Sequence, residues 1–448
     1  MRRILPIVGC TLGLIGVLPA TASAQRLRDR ISELFIFGPG QDPLFLAGSA
    51  TSSNPMDIQV HGRHYLPSAA AENGSVIAFV TGALASRVAN VPIGATTSGE
   101  TFRFEGGVPI STSTSAGPIF AERAQTLGRG RILAGINQTN LSFTSLRGVP
   151  LGSLRLVFTH ENVDFPGCSE QQQADCSQMG VPVLENDIMQ FDLALDINVA
   201  VTSFFVTYGL NDHVDVGVVL PLMRNSITGE SRAEILPFGG TTATHFFAGT
   251  TANPVLQASR TTSGSAFGIG DVAVRVKLNA RQTATGGVGL LLDARLPTGD
   301  ENDLLGAGSF SGRVLGILSS TFGAFSPHVN AGYLYSAGEN RNDLVLLTVG
   351  FDHLLARGVT LAVDAAGEFQ VGESRLLLPG PVVYDSPFRR TITPTSIPDI
   401  RDDVVNGSFG FKFTLPNRLT IVTNALFPLN DGGLRARLTY TLGLEYSY

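Results

Sequence analysis

From Leu434 to Tyr448 the chain alternates to its end. Leu434, Ala436, Leu438, Tyr440, Leu442, Leu444, Tyr446 and Tyr448 are apolar, and Arg435, Arg437, Thr439, Thr441, Gly443, Glu445 and Ser447 stand between them. Alternation of period two puts the two sets on opposite faces of one strand. A soluble strand usually runs about 5–6 residues, so a row this long fits a half-buried sandwich strand poorly. It fits a transmembrane barrel, in which one strand face meets lipid and the other the lumen. Tyr446 and Tyr448 would then stand at an interface, where aromatic girdles lie.

The same period recurs upstream. Phe191, Leu193, Leu195, Ile197, Val199 and Val201 alternate with Asp192, Ala194, Asp196, Asn198 and Ala200. Val272 to Leu278, Val288 to Leu296, Val359 to Ala365 and Phe409 to Phe413 repeat the pattern. Connection lengths agree. Counted back from Tyr448, connections expected outside are long (370–403, 297–311, 222–267, 161–187), and those expected on the periplasmic side are short (416–418, 352–358, 323–326, 209–213). Barrels of the outer membrane show that asymmetry. Candidate strands begin near Arg129, at 130–144 and 151–160, and continue to 434–448. Their number is odd where an even one is required, so the expected class is an all-β, antiparallel transmembrane β-barrel of about 14 strands, or about 12, with the extra strand within 100–118. The aromatic end is similar to the signal by which barrel-assembly machinery recognises outer-membrane barrels for insertion.

Composition supports export into a membrane. Only 15% of the 448 residues are charged and 51 are glycine. Soluble domains average about 25% charged. A net charge of −6 argues against nucleic acid as a partner. Residues 1–24 read as a signal peptide, with Arg2 and Arg3, an apolar stretch from Ile4, and small residues Ala22-Ser23-Ala24 before Gln25. A lipoprotein signal ending at Cys10 is the rival reading, but its apolar stretch would be short. With Cys10 removed, the mature chain keeps Cys168 and Cys176, which either pair in an outer loop or remain free thiols.

Three divisions follow: the signal at 1–24, an N-terminal leader or plug at 25–118, and the barrel at 119–448. Val76, Val80, Leu84 and Val88 have helical spacing, and 101–112 reads as a hairpin. The segment either plugs the lumen or lies outside it. No catalytic or cofactor motif is present: there is no G-x-S-x-G, no Walker loop, no H-E-x-x-H and no dinucleotide fingerprint. No metal cluster is evident, and no cofactor is expected. His213, His328 and His353 fall near short turns and are expected in solvent. The charges expected to face the lumen are Asp192, Asp196, Asp271, Arg275, Lys277, Asp293, Arg295, Asp364, Glu368, Lys412, Arg435, Arg437 and Glu445, with Arg275 opposite Asp293. Such charges either pair to fill the interior or line a hydrated path.

Several motifs carry a family resemblance. Tyr208-Gly209-Leu210-Asn211-Asp212-His213-Val214-Asp215-Val216-Gly217, Gly268-Ile269-Gly270-Asp271-Val272 and Leu296-Pro297-Thr298-Gly299-Asp300 resemble, in order and spacing, an outer-membrane transporter family associated with the meta pathway of phenol degradation. Pro118 to Gly130 resembles the segment that leads into the barrel in that family. More broadly, the chain is similar to long-chain fatty-acid transporter barrels. The resemblance implies an outer-membrane barrel that moves small, often hydrophobic or aromatic, solutes. The alternative is a structural or adhesive barrel whose long loops, 222–267 and 370–403, bind a partner; an enzyme on a barrel scaffold would need a catalytic constellation that is not seen.

Overall fold

The fold is that of a computed structural model that describes residues 26–35, 37, 76, 79–84, 87, 102–105, 108–111, 115–159, 187–237, 246–250, 252–283, 285–338, 341–384 and 389–448. The signal peptide, Cys168 and Cys176 lie outside the described residues. None of the described helices is long and apolar enough to cross a membrane, which says nothing about strands.

The principal strands are β1 (Ile132–Leu146), β2 (Leu154–Thr159), β3 (Ile188–Asn211), β4 (Val214–Leu236) and β5 (Gln257–Ile269). They continue as β6 (Val272–Gln282), β7 (Gly286–Leu296), β8 (Ser311–Ser320), β9 (Phe325–Ser336) and β10 (Leu344–Ala356). The last four are β11 (Val359–Gln370), β12 (Val404–Thr414), β13 (Leu419–Pro428) and β14 (Leu434–Ser447). All but β2 and β5 form one antiparallel cycle, β1-β3-β4-β6 and then in chain order to β14, and β14 closes on β1 through pairs such as Leu444 with Ile136. The barrel therefore has 12 strands. The count is the lower of the two expected. Of the candidate strand 151–160, Leu154–Thr159 forms β2, which adds beside the upper part of β3 rather than supplying a wall strand, and Phe102–Glu105 pairs with Val108–Ser111 as a separate two-stranded sheet.

One region departs from the expected plan. β3 and β4, at 24 and 23 residues, are about twice the length of strands such as β8, with 10. At ~3.3 Å per residue the hairpin is about 80 Å long. Its lower half belongs to the wall, and its upper half rises past the barrel's long-loop end. There β2 flanks β3, and β5 pairs with β4 from Ile269↔Leu222 to Gln257↔Glu234. The stretch 222–267, expected as a loop, is therefore mostly strand: this four-stranded tower.

The tower carries its own core. On β3 the odd-numbered side chains Met189, Phe191, Leu193, Leu195 and Ile197 are buried, packed against Leu27, Ile31, Leu34, Phe35 and Phe37. Leu27 and Ile31 share one face of the short helix α1 (Leu27–Glu33). Backbone approach is close enough that a Cβ on Gly229 would stand 2.6 Å from the Leu34 side chain. Residues 76, 79–84 and 87 are helical, and Val76, Val80 and Leu84 join the same core.

Around the barrel proper the outward row is apolar. Val218, Val274, Leu318, Val349, Phe409 and Leu442 are exposed, forming a belt no soluble surface would sustain. Exposed aromatics gather at its two edges: Tyr208, Phe322, Phe325, Tyr446 and Tyr448 at the short-turn end, and Phe267, Tyr335, Phe369 and Phe427 at the loop end. That is the girdle arrangement of a membrane barrel.

Candidate functional site: the lumen and its internal strap

The inward rows are polar, so the charges they carry must be paired. Strand register sets Arg275 directly across from Asp293. Arg275 Nε donates to Asp293 at 3.0 Å, Arg313 Nη2 donates to it at 2.8 Å, and Arg295 Nε stands 3.6 Å from the same carboxylate. Lys412 reaches Glu445 at 3.4 Å. His328 Nε2 lies 2.7 Å from Asp364, and Asp352 stands 3.8 Å from its other ring nitrogen. His328 is thus inside the barrel and buried, not in solvent as its place near a turn suggested: inward rows continue down to the turns, and residue 328 falls on one.

Residues 115–130 lie within this lumen near the short-turn end, as a strap hydrogen-bonded to one wall strand after another. Ala116 N–H donates to Thr360 at 2.9 Å on β11. Arg123 forms an ion pair with Asp352 on β10, and the Ser115 hydroxyl bonds both residues. Glu122 and Asn330 clasp each other, backbone N–H to Oδ1 at 2.7 Å and Nδ2 to carbonyl at 2.9 Å, while the Glu122 carboxylate takes Lys277 at 3.2 Å. Ala124 N–H donates to Ser319 at 3.0 Å, and its carbonyl accepts from Asn279 at 2.9 Å. Leu127 N–H donates to the Asp215 carboxylate at 2.9 Å. An extended segment has no backbone partners of its own, and here wall side chains supply them.

The strap leaves through Gly128 and Gly130, at φ +88° and +77°, a region that favours glycine. It passes so close to β3 that a Cβ on Gly209 would stand 1.9 Å from the Gly128 carbonyl oxygen. Both glycines of that crossing belong to the motifs singled out in the sequence. The other two motifs also meet: the Asp271 carboxylate accepts from Gly299 N–H at 3.1 Å and Ala307 N–H at 2.8 Å, fixing the loop after β7.

Most charges expected in the lumen are buried on inward rows: Asp271, Arg275, Lys277, Asp293, Arg295, Asp364, Lys412, Arg435 and Glu445. Glu368, half-buried at the loop end, pairs with Arg87 at 2.5 Å. Three are elsewhere. Asp192 and Asp196 stand on the tower's outer face, where Asp192 pairs with Arg155 at 2.8 Å. The faces of β3 exchange character where it leaves the barrel. Phe204, Val206 and Tyr208 face outward as part of the belt, whereas the same row higher up is polar because it meets water and the apolar row turns to the tower's core. Arg437 is exposed because the register of β14 against β1 shifts between Ala436 and Thr439. The residues missed were Ser115, Glu122, Arg123, Asp215 and Asp352. Glu122 and Arg123, paired charges in an aperiodic apolar stretch, were the available signal. Outside the strands, burial lowers the Arg341 guanidinium from its ordinary value, while Asp271 and Glu301 pull it back up. Among the described residues no group of three His, Cys, Asp or Glu could hold a metal ion.

Solved structures of similar fold include an outer membrane channel from Pseudomonas putida F1 (11% identity, 72% of this chain and 98% of that one, TM-score 0.40). Others are a deletion mutant of the TodX monoaromatic hydrocarbon channel (9%, 71% and 89%, 0.32) and a FadL homologue from Pseudomonas aeruginosa (12%, 71% and 89%, 0.31). No curated protein matches the sequence. The sequence pattern of one family matches residues 182–435, from the tower to the start of the last strand, which is more than half of the chain. The chain belongs to the MetA-pathway of phenol degradation family.

Proposed function

We propose that the protein is an outer-membrane channel for small, partly hydrophobic or aromatic solutes, exported by residues 1–24 and shut at its periplasmic end by the strap 115–130. The observation that carries this reading is the reversal of polarity: a closed strand cycle with an apolar, aromatic-edged outer wall around a charged interior. Lipid is then the outer solvent, and the short-turn end faces the periplasm. Paired inward charges keep the interior polar without a large net charge, which suits solutes that are neutral or singly charged. Membership in a phenol-degradation family supports small aromatics as the solute class. The chemistry present is that of passage, with no step of bond making assigned to it.

A second reading gains from the tower. Its outer face is polar and stands clear of the belt, as a partner-binding surface would. Uptake by proteoliposomes separates the two. Phenol entering vesicles little faster through the refolded protein than through lipid alone, and much faster when the strap is loosened, supports the channel. A protein that stays soluble without detergent, or that inserts and passes nothing in either form, would contradict it.

A further inference from the structure

Just inside the loop end, two cavities lie on either side of one ion pair, Arg87 with Glu368 at 2.5 Å. The outer cavity, of ≈ 70 Å³, is walled by Phe79, Ala83, Arg341 and Gln370. The inner one, of ≈ 60 Å³, is walled by Leu141, Phe143, Leu426, Asn406 and Arg435. Both touch Arg87, Glu368 and Leu434, so the pair is the partition between them. A cavity of about 150 Å³ accepts benzene, so neither chamber admits a ring while the pair is closed.

Arg435 makes the inner chamber unusual. It is 4% exposed, yet its bonds go only to neutral acceptors, the Val405 carbonyl at 2.8 Å and Asn406 Oδ1 at 2.9 Å. Its Nε has no hydrogen-bond partner among the described residues. Of the two nearby carboxylates that attract it, Glu368 is engaged by Arg87 and Asp431 makes no hydrogen bond to it among the described residues, while Arg87 itself repels it. A buried guanidinium left without an anion is costly, and its fork of donors matches a carboxylate. Beside that fork, Leu141, Phe143 and Leu426 offer an apolar wall.

We propose that this divided chamber binds a small amphipathic monocarboxylate of the benzoate type. The carboxylate sits on Arg435 and displaces Glu368 from Arg87, while the ring lies against Leu141, Phe143 and Leu426. Bridging Arg435 and Arg87, the ligand's carboxylate takes the place of Glu368 on Arg87; the released Glu368, half-buried, turns to solvent, and the two chambers join. The inference rests on reading the lumen as a solute path and specifies which solutes it holds.

The test is calorimetric titration of the refolded full-length protein in detergent with benzoate and with benzyl alcohol, its neutral analogue of similar size. Benzoate should bind at least tenfold more tightly. Arg435→Gln should abolish that preference, and Arg435→Lys should retain part of it. Glu368→Gln, which frees Arg87, should tighten benzoate binding; it also keeps the test decisive where Arg435→Gln does not fold. Equal affinity for the two probes, or benzoate binding unchanged in Arg435→Gln or weakened in Glu368→Gln, would overturn the proposal. Conductance is read separately, on Arg123→Ala, in which the strap is unfastened. Benzoate binding without conductance would remove the channel reading and leave this site standing, and conductance without a benzoate preference would do the reverse.

Discussion

Substituting Arg123 by alanine removes the cation that fastens the strap to β10. Arg123 and Asp352 are 3% and 0% exposed in their side chains, so the substitution leaves a fully buried carboxylate without its cation. Breaking one partner of a buried pair costs about 3–5 kcal/mol. At roughly 1.4 kcal/mol per tenfold, strap release becomes on the order of a hundred to several thousand times more favourable. The clasp of Glu122 with Asn330 and the anchor of Leu127 at Asp215 remain, so the part from Ser115 to Ala121 lifts first. Phe120 lies in that part and gives chymotrypsin a place to cut once it is lifted. Wild type should be slow to be cut at Phe120 and nearly silent in planar bilayers. Arg123→Ala should be cut quickly and should open. Removing the stranded carboxylate as well, in Arg123→Ala with Asp352→Ala, should recover much of the protection, as a double-mutant cycle requires of an interacting pair. Equal cleavage and conductance in wild type and Arg123→Ala would refute the argument that this pair holds the strap.

Three other expectations concern the tower and the wall. Phe191→Ala takes away the ring that meets Phe35, Phe37 and Phe158 at 5.4, 5.2 and 5.0 Å, at a cost of about 3–5 kcal/mol. Amide exchange in α1 should rise while exchange in β8 to β13 stays as it was. Arg147, with no exposed side-chain surface, donates twice to Asp402 at 2.8 Å and once to Ser374 at 2.7 Å. Arg147→Ala should therefore destabilise the 371–403 loop by ~3 kcal/mol, read as faster proteolysis within it. Asp293→Asn leaves Arg275, Arg295 and Arg313 facing one another, and should lower the unfolding temperature more than Arg313→Gln, since the Arg313 side chain keeps 24% exposure and some water.

The barrel was legible because its period-two rows are long and its connections alternate in length. β14 shows both the power and the limit of that signal. From Leu438 to Tyr448 the even residues face outward as read, but Leu434 is buried, because a register shift that alternation cannot reveal lies between. β3 shows a deeper limit. Its burial alternates without a break from Met189 to Leu210, yet which of its rows is apolar depends on whether the stretch lies in lipid or above it. Asp192 and Asp196 were misplaced for that reason. The strap was hidden differently. It is extended, aperiodic and stabilised by the side chains of distant strands, such as Asn330 and Asp215, so nothing local marks it beyond its glycines and the Glu122-Arg123 pair.

The most direct test of a strapped membrane channel is single-channel conductance of the refolded protein in planar bilayers, measured for wild type and for Arg123→Ala in which cleavage at Phe120 has confirmed release. The account predicts rare or no openings in wild type and steady conductance in the released form. Silence in both, with the strap shown to be free, would contradict it and leave the tower's partner-binding reading in its place.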